Sequence, residues 1–381
     1  MAAFARFEDG VEVSGEVFQT LARFAPDGVM DVLACDQHNS VVRMLTKLFA
    51  RAREAGGGAD EYPDQPRDQD VTRASFILAR RLGGVPAAAL FNHLAYLSDG
   101  FREVLGADTM LIGRLESTVF LETKDKQGLV AQLAVQPEQV ADRVDAFKTL
   151  VKVDPAHRES WDRNLAWQTE VWERCRKLGK PLFNETLYTP AGLPKRELGE
   201  KLPEALPKIA RDFGPLGDFY KTQVPLLWIE DDGAALTPVG SGELIRTARP
   251  LYGSLRVAGG TVVAPISSPE VVRRTTEAMA AVVDRPLLLL SAAVNFEQYA
   301  AQYGIVCDLV AGPMCGRAYF KDPFADPAVR DWEALEQAIA ITAVPRMRQI
   351  KALAAARSQP WWHKYTWMSD EARALIQPRG A

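Results

Sequence analysis

Two lysines and two carboxylates stand in runs of sequence where charge is out of place. Lys221 lies in GDFYKTQVPLLWIE (Gly217 to Glu230), whose Phe219, Tyr220, Val224, Leu226, Leu227, Trp228 and Ile229 are the types that suit a pleated, buried surface. Lysine is among the residues least often buried without a partner. Either its side chain turns outward at the strand end, or its amine does chemistry inside the protein. Lys148 sits in FKTLVKV, Glu185 follows Asn184 in PLFNETL, and Asp36 ends VMDVLACD and is followed by Gln37 and His38. Each has a plain structural reading: Asp36 as a helix cap, Glu185 and Lys148 as a buried ion pair, Lys221 as an edge residue that snorkels to water. Brought together, the four would perturb one another. A partly desolvated lysine beside a second cation gives up its proton more readily, and its amine becomes nucleophilic at neutral pH. Schiff-base chemistry has that requirement.

The elements that would bring them together are legible as an alternation of short apolar runs and longer amphipathic stretches, the βαβα pattern of a parallel sheet wrapped by helices. Candidate strands cover 29–36, 109–113, 147–153, 181–187, 218–229, 261–266, 286–292 and 308–315. Eight such runs favour a closed (β/α)8 barrel of the TIM type, an α/β fold, over an open sheet. The chain reads as one domain with a core over about residues 25–350. Counted along these runs, Lys148 falls on the third strand, Glu185 on the fourth and Lys221 on the fifth. The segment 160–180 has helical periodicity, with Trp161, Leu165, Trp172 and Leu178 as its inner face and Gly179 as its stop. A second helix is expected over 268–283, with Ser268 capping it and Pro269 in the first turn. In a parallel barrel the active site lies at the C-terminal rim of the strands. Asp36, Lys148, Glu185 and Lys221 fall there, as do Ser291 after the seventh run and Gly316-Arg317 after the eighth. The Gly/Pro/Asp-rich stretch 54–70 reads as a loop insertion between helices, and 351–381 as a C-terminal extension. Its aromatic PWWHKYTW (360–367) is expected to pack on the barrel exterior, with a lid or a subunit contact as alternatives.

Composition narrows the partners. The net charge of −4 over 381 residues and the absence of any Lys/Arg run argue against nucleic acid. No apolar stretch approaches the roughly 20 residues that a membrane helix needs. The N-terminal MAAFARFEDG lacks the apolar core of a signal peptide. Cys35, Cys175, Cys307 and Cys315 are scattered without CxxC spacing, which fits reduced thiols and a cytoplasmic location. His38, His93, His157 and His363 show no ligand pairing such as HxH or HxxxH.

In the order DVLACDQHNS, DAFKTLVKVDP, PLFNETLYT, DFYKTQVPL, LLLSAAVNFEQY and GPMCGRAYF, the chain resembles the class I tagatose-1,6-bisphosphate aldolase family, including the related sulfofructose-phosphate aldolases. The resemblance runs from about residue 29 to about residue 320 and is strongest from residue 145 onward. It implies that Lys221 is the Schiff-base lysine, and that Glu185 is the general acid/base that dehydrates the carbinolamine. It implies further that Asp36 handles the hydroxyl proton at the cleaved carbon, and that Lys148 contacts substrate and helps keep Lys221 uncharged. Ser291, Ala292, Gly316 and Arg317 match the phosphate site, and Gln37 and His38 the substrate-binding stretch after Asp36. The implied reaction is reversible cleavage of a phosphorylated ketohexose to dihydroxyacetone phosphate and a three-carbon aldehyde. It needs no cofactor beyond the lysine adduct, since an iminium does the work of a Lewis-acid metal. A small sugar phosphate is the implied partner, and a homo-oligomer the implied assembly.

The chain departs from the family pattern at four places. His38 replaces an arginine, Ser291-Ala292-Ala293 has lost a glycine, Pro313-Met314 replaces an apolar pair, and Arg114 stands where an acidic or neutral residue is usual. Arg114 and His38 together could recognise a second anion, either phosphate or sulfonate. Two other readings stay open: the same barrel acting on an unphosphorylated or acid sugar by aldol or epimerase chemistry, and a regulator that senses sugar phosphates without turning them over.

Overall fold

The computed structural model describes residues 3–230, 255–256 and 262–377. Eight parallel strands close into a barrel in chain order: Val32–Cys35, Ala88–Phe91, Met110–Arg114, Ala146–Val153, Leu182–Tyr188, Phe219–Gln223, Leu287–Leu290 and Gly312–Cys315. The eighth hydrogen-bonds back to the first, Met314 opposite Val32. Helices cover the outside, among them His38–Glu54, Asp68–Leu82, Arg158–Lys177, Lys195–Phe213, Pro269–Val282 and Phe296–Val306. The fold is the expected (β/α)8 barrel. Ser268 caps its helix as expected, its hydroxyl accepting from the Val271 amide, and Gly179 ends the earlier one in the left-handed conformation. Among the described residues no helix is long and apolar enough to cross a membrane.

The count of eight strands holds, but its membership changes. Val262–Pro265 is not a barrel strand. It pairs antiparallel with Trp228–Glu230 and with Leu255–Arg256 in a separate small sheet. The run 218–229 is accordingly two strands, with the barrel strand ending at Gln223 just before Pro225. The missing member is Ala88–Phe91, whose alanines have low strand propensity but fit a crowded interior. Propensity marks a pleated surface without saying which sheet it joins. Lys148, Glu185 and Lys221 therefore lie on the fourth, fifth and sixth strands, each one place later than the sequence count.

Side chains alternate across each strand, and this period of two builds the site. In F-x-E and F-x-K, Phe183 and Glu185 point into the barrel, as do Phe219 and Lys221. Tyr220 and Leu182 face the helices instead. The two phenylalanines stack with ring centroids 4.6 Å apart and planes 5° from parallel. They form an apolar floor one layer below the carboxylate and the amine, which are themselves opposite one another in register.

The N-terminal end of the barrel is closed by the chain termini. Ala3–Phe7 pairs with Glu12–Ser14 on one side and with Tyr365–Met368 on the other. The aromatic tail thus packs on the barrel at the end opposite the candidate site. Trp361 is fully buried, its indole N–H donating to the Ala25 carbonyl at 2.8 Å, and its ring meets Phe18 edge-on at 5.2 Å. Gly28, at φ +87°, lies so close to Pro360 and Trp362 that a Cβ there would collide with both.

Candidate active site

Lys148 is the centre of the charged layer. Its ammonium contacts Asp36 Oδ2 at 2.9 Å, Glu116 Oε1 at 2.7 Å and Glu185 Oε2 at 2.9 Å. Asp36 and Glu116 accept hydrogen bonds from it, and Glu185 adds an ion-pair contact. Glu185 Oε2 is shared, accepting from Lys221 Nζ at 2.8 Å as well. Arg114 completes the set from below Asp36, donating to the Asp36 backbone carbonyl at 2.6 Å. All six side chains are buried.

Burial alone would favour the neutral form of every member. For Asp36 it is outweighed by the Lys148, Lys221 and Arg114 cations, which hold the carboxyl well below the usual range. Glu185 is likewise pushed up by burial but drawn down by Lys148 and Lys221, and ends below its ordinary value. Lys148 is disfavoured by burial, yet Asp36, Glu116 and Glu185 bind its proton more tightly than water would. Glu116 goes the other way. Its burial prevails over the attraction of Lys148 and Arg114, with Asp36 adding repulsion, so its carboxyl is raised. One of its oxygens, Oε2, is buried without a hydrogen-bond partner.

Asp36, Lys148, Glu185 and Lys221 line a cavity of about 260 Å³ whose wall also includes Gln37, Leu150, Leu187, Ser291, Ala292, Gly316 and Arg317. The loop after the seventh strand is strained: Ala292 and Ala293 both have positive φ, 47° and 64°. The left-handed conformation costs a non-glycine residue about 1–2 kcal/mol. Alanine stands at both positions although the backbone there takes a shape that glycine adopts freely. Gly316 is required for a different reason, since a Cβ would run into the Ala34 backbone oxygen. Arg317 follows it, aimed by the Ser40 hydroxyl at 2.8 Å. Beyond Arg317 opens a wider cavity of about 780 Å³, lined by Arg43, Lys47 and Lys321 as well as Asp322 and Asp326. Asp322 is held by Arg346 at 2.7 Å. Lys321, whose ordinary value burial lowers, donates to the Ala293 carbonyl at 3.1 Å.

Of the residues singled out in the sequence, Asp36, Gln37, Lys148, Glu185, Lys221, Ser291, Ala292, Gly316 and Arg317 all line the smaller cavity. His38 does not. It begins the helix His38–Glu54, and its ring turns to Asp68 at 3.2 Å. Arg114 is buried in the charged layer and is absent from the cavity wall, so the pair does not form a joint anion site there. The sequence reading missed Glu116, Ser40, Arg43 and Lys321. Glu116 carried a signal: it follows Arg114 by two residues at the end of an apolar run, hence on the same side of the chain. Among the described residues, no group of three or more His, Cys, Asp or Glu side chains is placed to hold a metal ion.

A closed (β/α)8 barrel with an ion-paired lysine inside its C-terminal mouth is the class that fold and site together define. No family model matches the chain, and no curated protein matches it by sequence. Among solved structures it is similar to a fructose-bisphosphate aldolase from Slackia heliotrinireducens, at 13% identity and a TM-score of 0.51, covering 96% of this chain and 94% of that one. It is also similar to an archaeal fructose 1,6-bisphosphate aldolase, at 14% identity and a TM-score of 0.50, covering 89% and 98% respectively. At such identities the likeness establishes the fold.

Proposed function

We propose that the protein is a Schiff-base aldolase that reversibly cleaves a phosphorylated ketohexose to dihydroxyacetone phosphate and a three-carbon aldehyde. The observation that carries this reading is the pair Lys221–Glu185, 2.8 Å apart above an apolar floor, with Lys148 and Asp36 completing a connected set. Lys221, as the free amine, adds to the ketone carbon. Glu185, within reach of that nitrogen, takes up the proton that the adding amine sheds and relays protons to the departing carbinolamine hydroxyl, and an iminium forms. The cationic nitrogen then accepts the electron pair of the breaking carbon–carbon bond, while Asp36 takes the proton of the hydroxyl at the cleaved carbon. Lys148 keeps Asp36 ionised for that task. Ser291, the strained Ala292-Ala293 turn, Gly316 and Arg317 would hold the phosphate, and the basic cavity beyond would draw anionic substrates towards the mouth.

The membership suggested by the sequence, a tagatose-bisphosphate or sulfofructose-phosphate aldolase, is narrowed by a cleavage assay over tagatose and fructose bisphosphates and 6-sulfofructose 1-phosphate. Borohydride reduction in the presence of dihydroxyacetone phosphate should leave a covalent adduct on Lys221, located by peptide mass. Binding of the sugar phosphate without any adduct would convert the reading to that of a sensor. Turnover confined to unphosphorylated sugars would remove the phosphate assignment.

A further inference from the structure

Glu116 belongs to the charged layer without a role in the reaction just described. It stands just past the third strand, buried, with Oε1 2.7 Å from Lys148 Nζ and Oε2 unpartnered. An unpartnered oxygen is far more costly to bury on a carboxylate than on a neutral acid. The groups that face it are Lys148 on the fourth strand, Arg114 on the third, Asp36 after the first, and Tyr96, whose hydroxyl donates to the Arg114 carbonyl at 3.1 Å. Beyond Lys148 lie Glu185 and Lys221, joined by contacts of 2.9 Å and 2.8 Å. A continuous run of close polar contacts therefore joins Glu116 to Lys221: a hydrogen bond from Lys148 to Glu116, an ion pair of 2.9 Å from Lys148 to Glu185, and a hydrogen bond from Lys221 to Glu185.

Resting on the aldolase reading, we propose that Glu116 stores the proton that iminium formation consumes and delivers it through Lys148 and Glu185. The balance is simple. A free amine and a ketone give a carbinolamine with no net proton change. Loss of its hydroxyl as water, leaving a cationic iminium, takes up one proton. In the reactive form, with the proton of the Lys221 ammonium moved along the layer to Glu116, the anions Asp36 and Glu185 balance the cations Lys148 and Arg114. After dehydration Glu116 is a carboxylate and Lys221 carries the iminium charge, so the layer is neutral again. A layer this deeply buried could not otherwise gain a cation without a large desolvation cost. Glu116 touches no substrate; it acts through Lys148.

The test is the time course of adduct formation on Lys221, quenched with borohydride after mixing with dihydroxyacetone phosphate, between pH 5 and 9. Wild type is compared with Glu116→Gln, which keeps the shape but holds no transferable proton, and with Glu116→Asp. In Glu116→Gln, adduct formation should slow roughly ten- to hundredfold, at the low end of general-acid effects, with dihydroxyacetone phosphate affinity little changed. Its rate should fall steadily as pH rises, because solvent must now supply the proton, while the wild-type rate stays level around neutrality. Glu116→Asp should recover most of the rate. A Gln variant matching wild type in rate and pH profile overturns the role of Glu116 alone. Absence of any adduct in wild type overturns the aldolase reading and this role with it. Should the Gln variant fail to fold, carbon NMR of wild type with labelled glutamate carboxyls decides, using Glu116→Asp for assignment. An acid signal at neutral pH supports the role, and a carboxylate signal overturns it.

Discussion

At the N-terminal end of the barrel Arg285 is completely buried among aromatic rings. It donates to Asp9 at 2.9 Å and to the Gly217 carbonyl at 2.9 Å, and its guanidinium lies 3.9 Å from the centre of the Phe7 ring. Around it Phe7, Phe18, Trp361, Trp362 and Tyr365 pack edge to face. At the C-terminal rim, three carboxylates, two lysines and an arginine share one layer. Hydrogen bonds to Asp9 and the Gly217 carbonyl fix the Arg285 guanidinium, so that end has one arrangement. In the rim layer, protons can be redistributed among neighbours at small cost in total charge. One end converts burial into stability; the other converts it into chemistry.

The sharpest way to break this contrast is at Lys221. Lys221→Met should remove adduct formation and lower turnover by at least about 10⁴-fold, as losses of a covalent nucleophile do, without lowering the thermal midpoint. A midpoint that collapses along with activity would mean that Lys221 holds the fold together as Arg285 does. Lys148→Met should lower both stability and activity, because it strands the Asp36 and Glu185 carboxylates beside too little positive charge and takes the hydrogen-bond donor from Glu116 Oε1. A loss of about 3–5 kcal/mol in a denaturant titration is expected for breaking a buried ion cluster. Asp36 and Glu185, both held below their ordinary values, stabilise the fold fully above about pH 4.5, and this is lost as pH falls through their folded values. Little destabilisation at neutral pH in Lys148→Met would show that Arg114 and Lys221 suffice as counter-charges.

The opposite end should answer in the opposite way. Trp361→Ala is expected to cost about 3–5 kcal/mol, the usual range for truncating a buried tryptophan, while activity per folded molecule stays close to wild type. A large drop in turnover with a normal midpoint would show that the tail communicates with the rim. The smallest effect is one of pH. Burial depresses His363 to about 4, against the opposing hydrogen bond to the Pro360 carbonyl. A group depressed on folding contributes stability that is present above its unfolded value, about 6.5, and lost as pH falls towards the folded one. The thermal midpoint should therefore decline between about pH 6.5 and 4, and His363→Gln should flatten that part of the curve.

Much of the rim could be read from residue types. Charged residues inside β-type runs are rare enough that Asp36, Lys148, Glu185 and Lys221 stand out in one sequence. The spacing of two in FNE and FYK likewise fixes which side chains share a face. The barrel's membership was harder. VVAP and AALF are both four-residue strands, and only the first has strand-like composition, yet the second is the barrel member. Which sheet a strand joins depends on partners far away in the chain, and local propensity carries no information about them. Glu116 stood in plain view beside Arg114, but nothing local marks a glutamate as buried until Lys148 is seen to reach it.

The sequence by itself determined that this chain alternates strand and helix, and that four ionisable side chains fall within or at the ends of apolar strand runs. Only the tertiary structure decided that Lys148 gathers three carboxylates, that His38 turns away to Asp68, and that the aromatic tail closes the far end. The physical reason is range. Side-chain alternation is set by neighbours along the backbone, whereas an ion pair or a packed ring is set by distance in space, and closing the barrel is what makes residues 36, 116, 148, 185 and 221 neighbours.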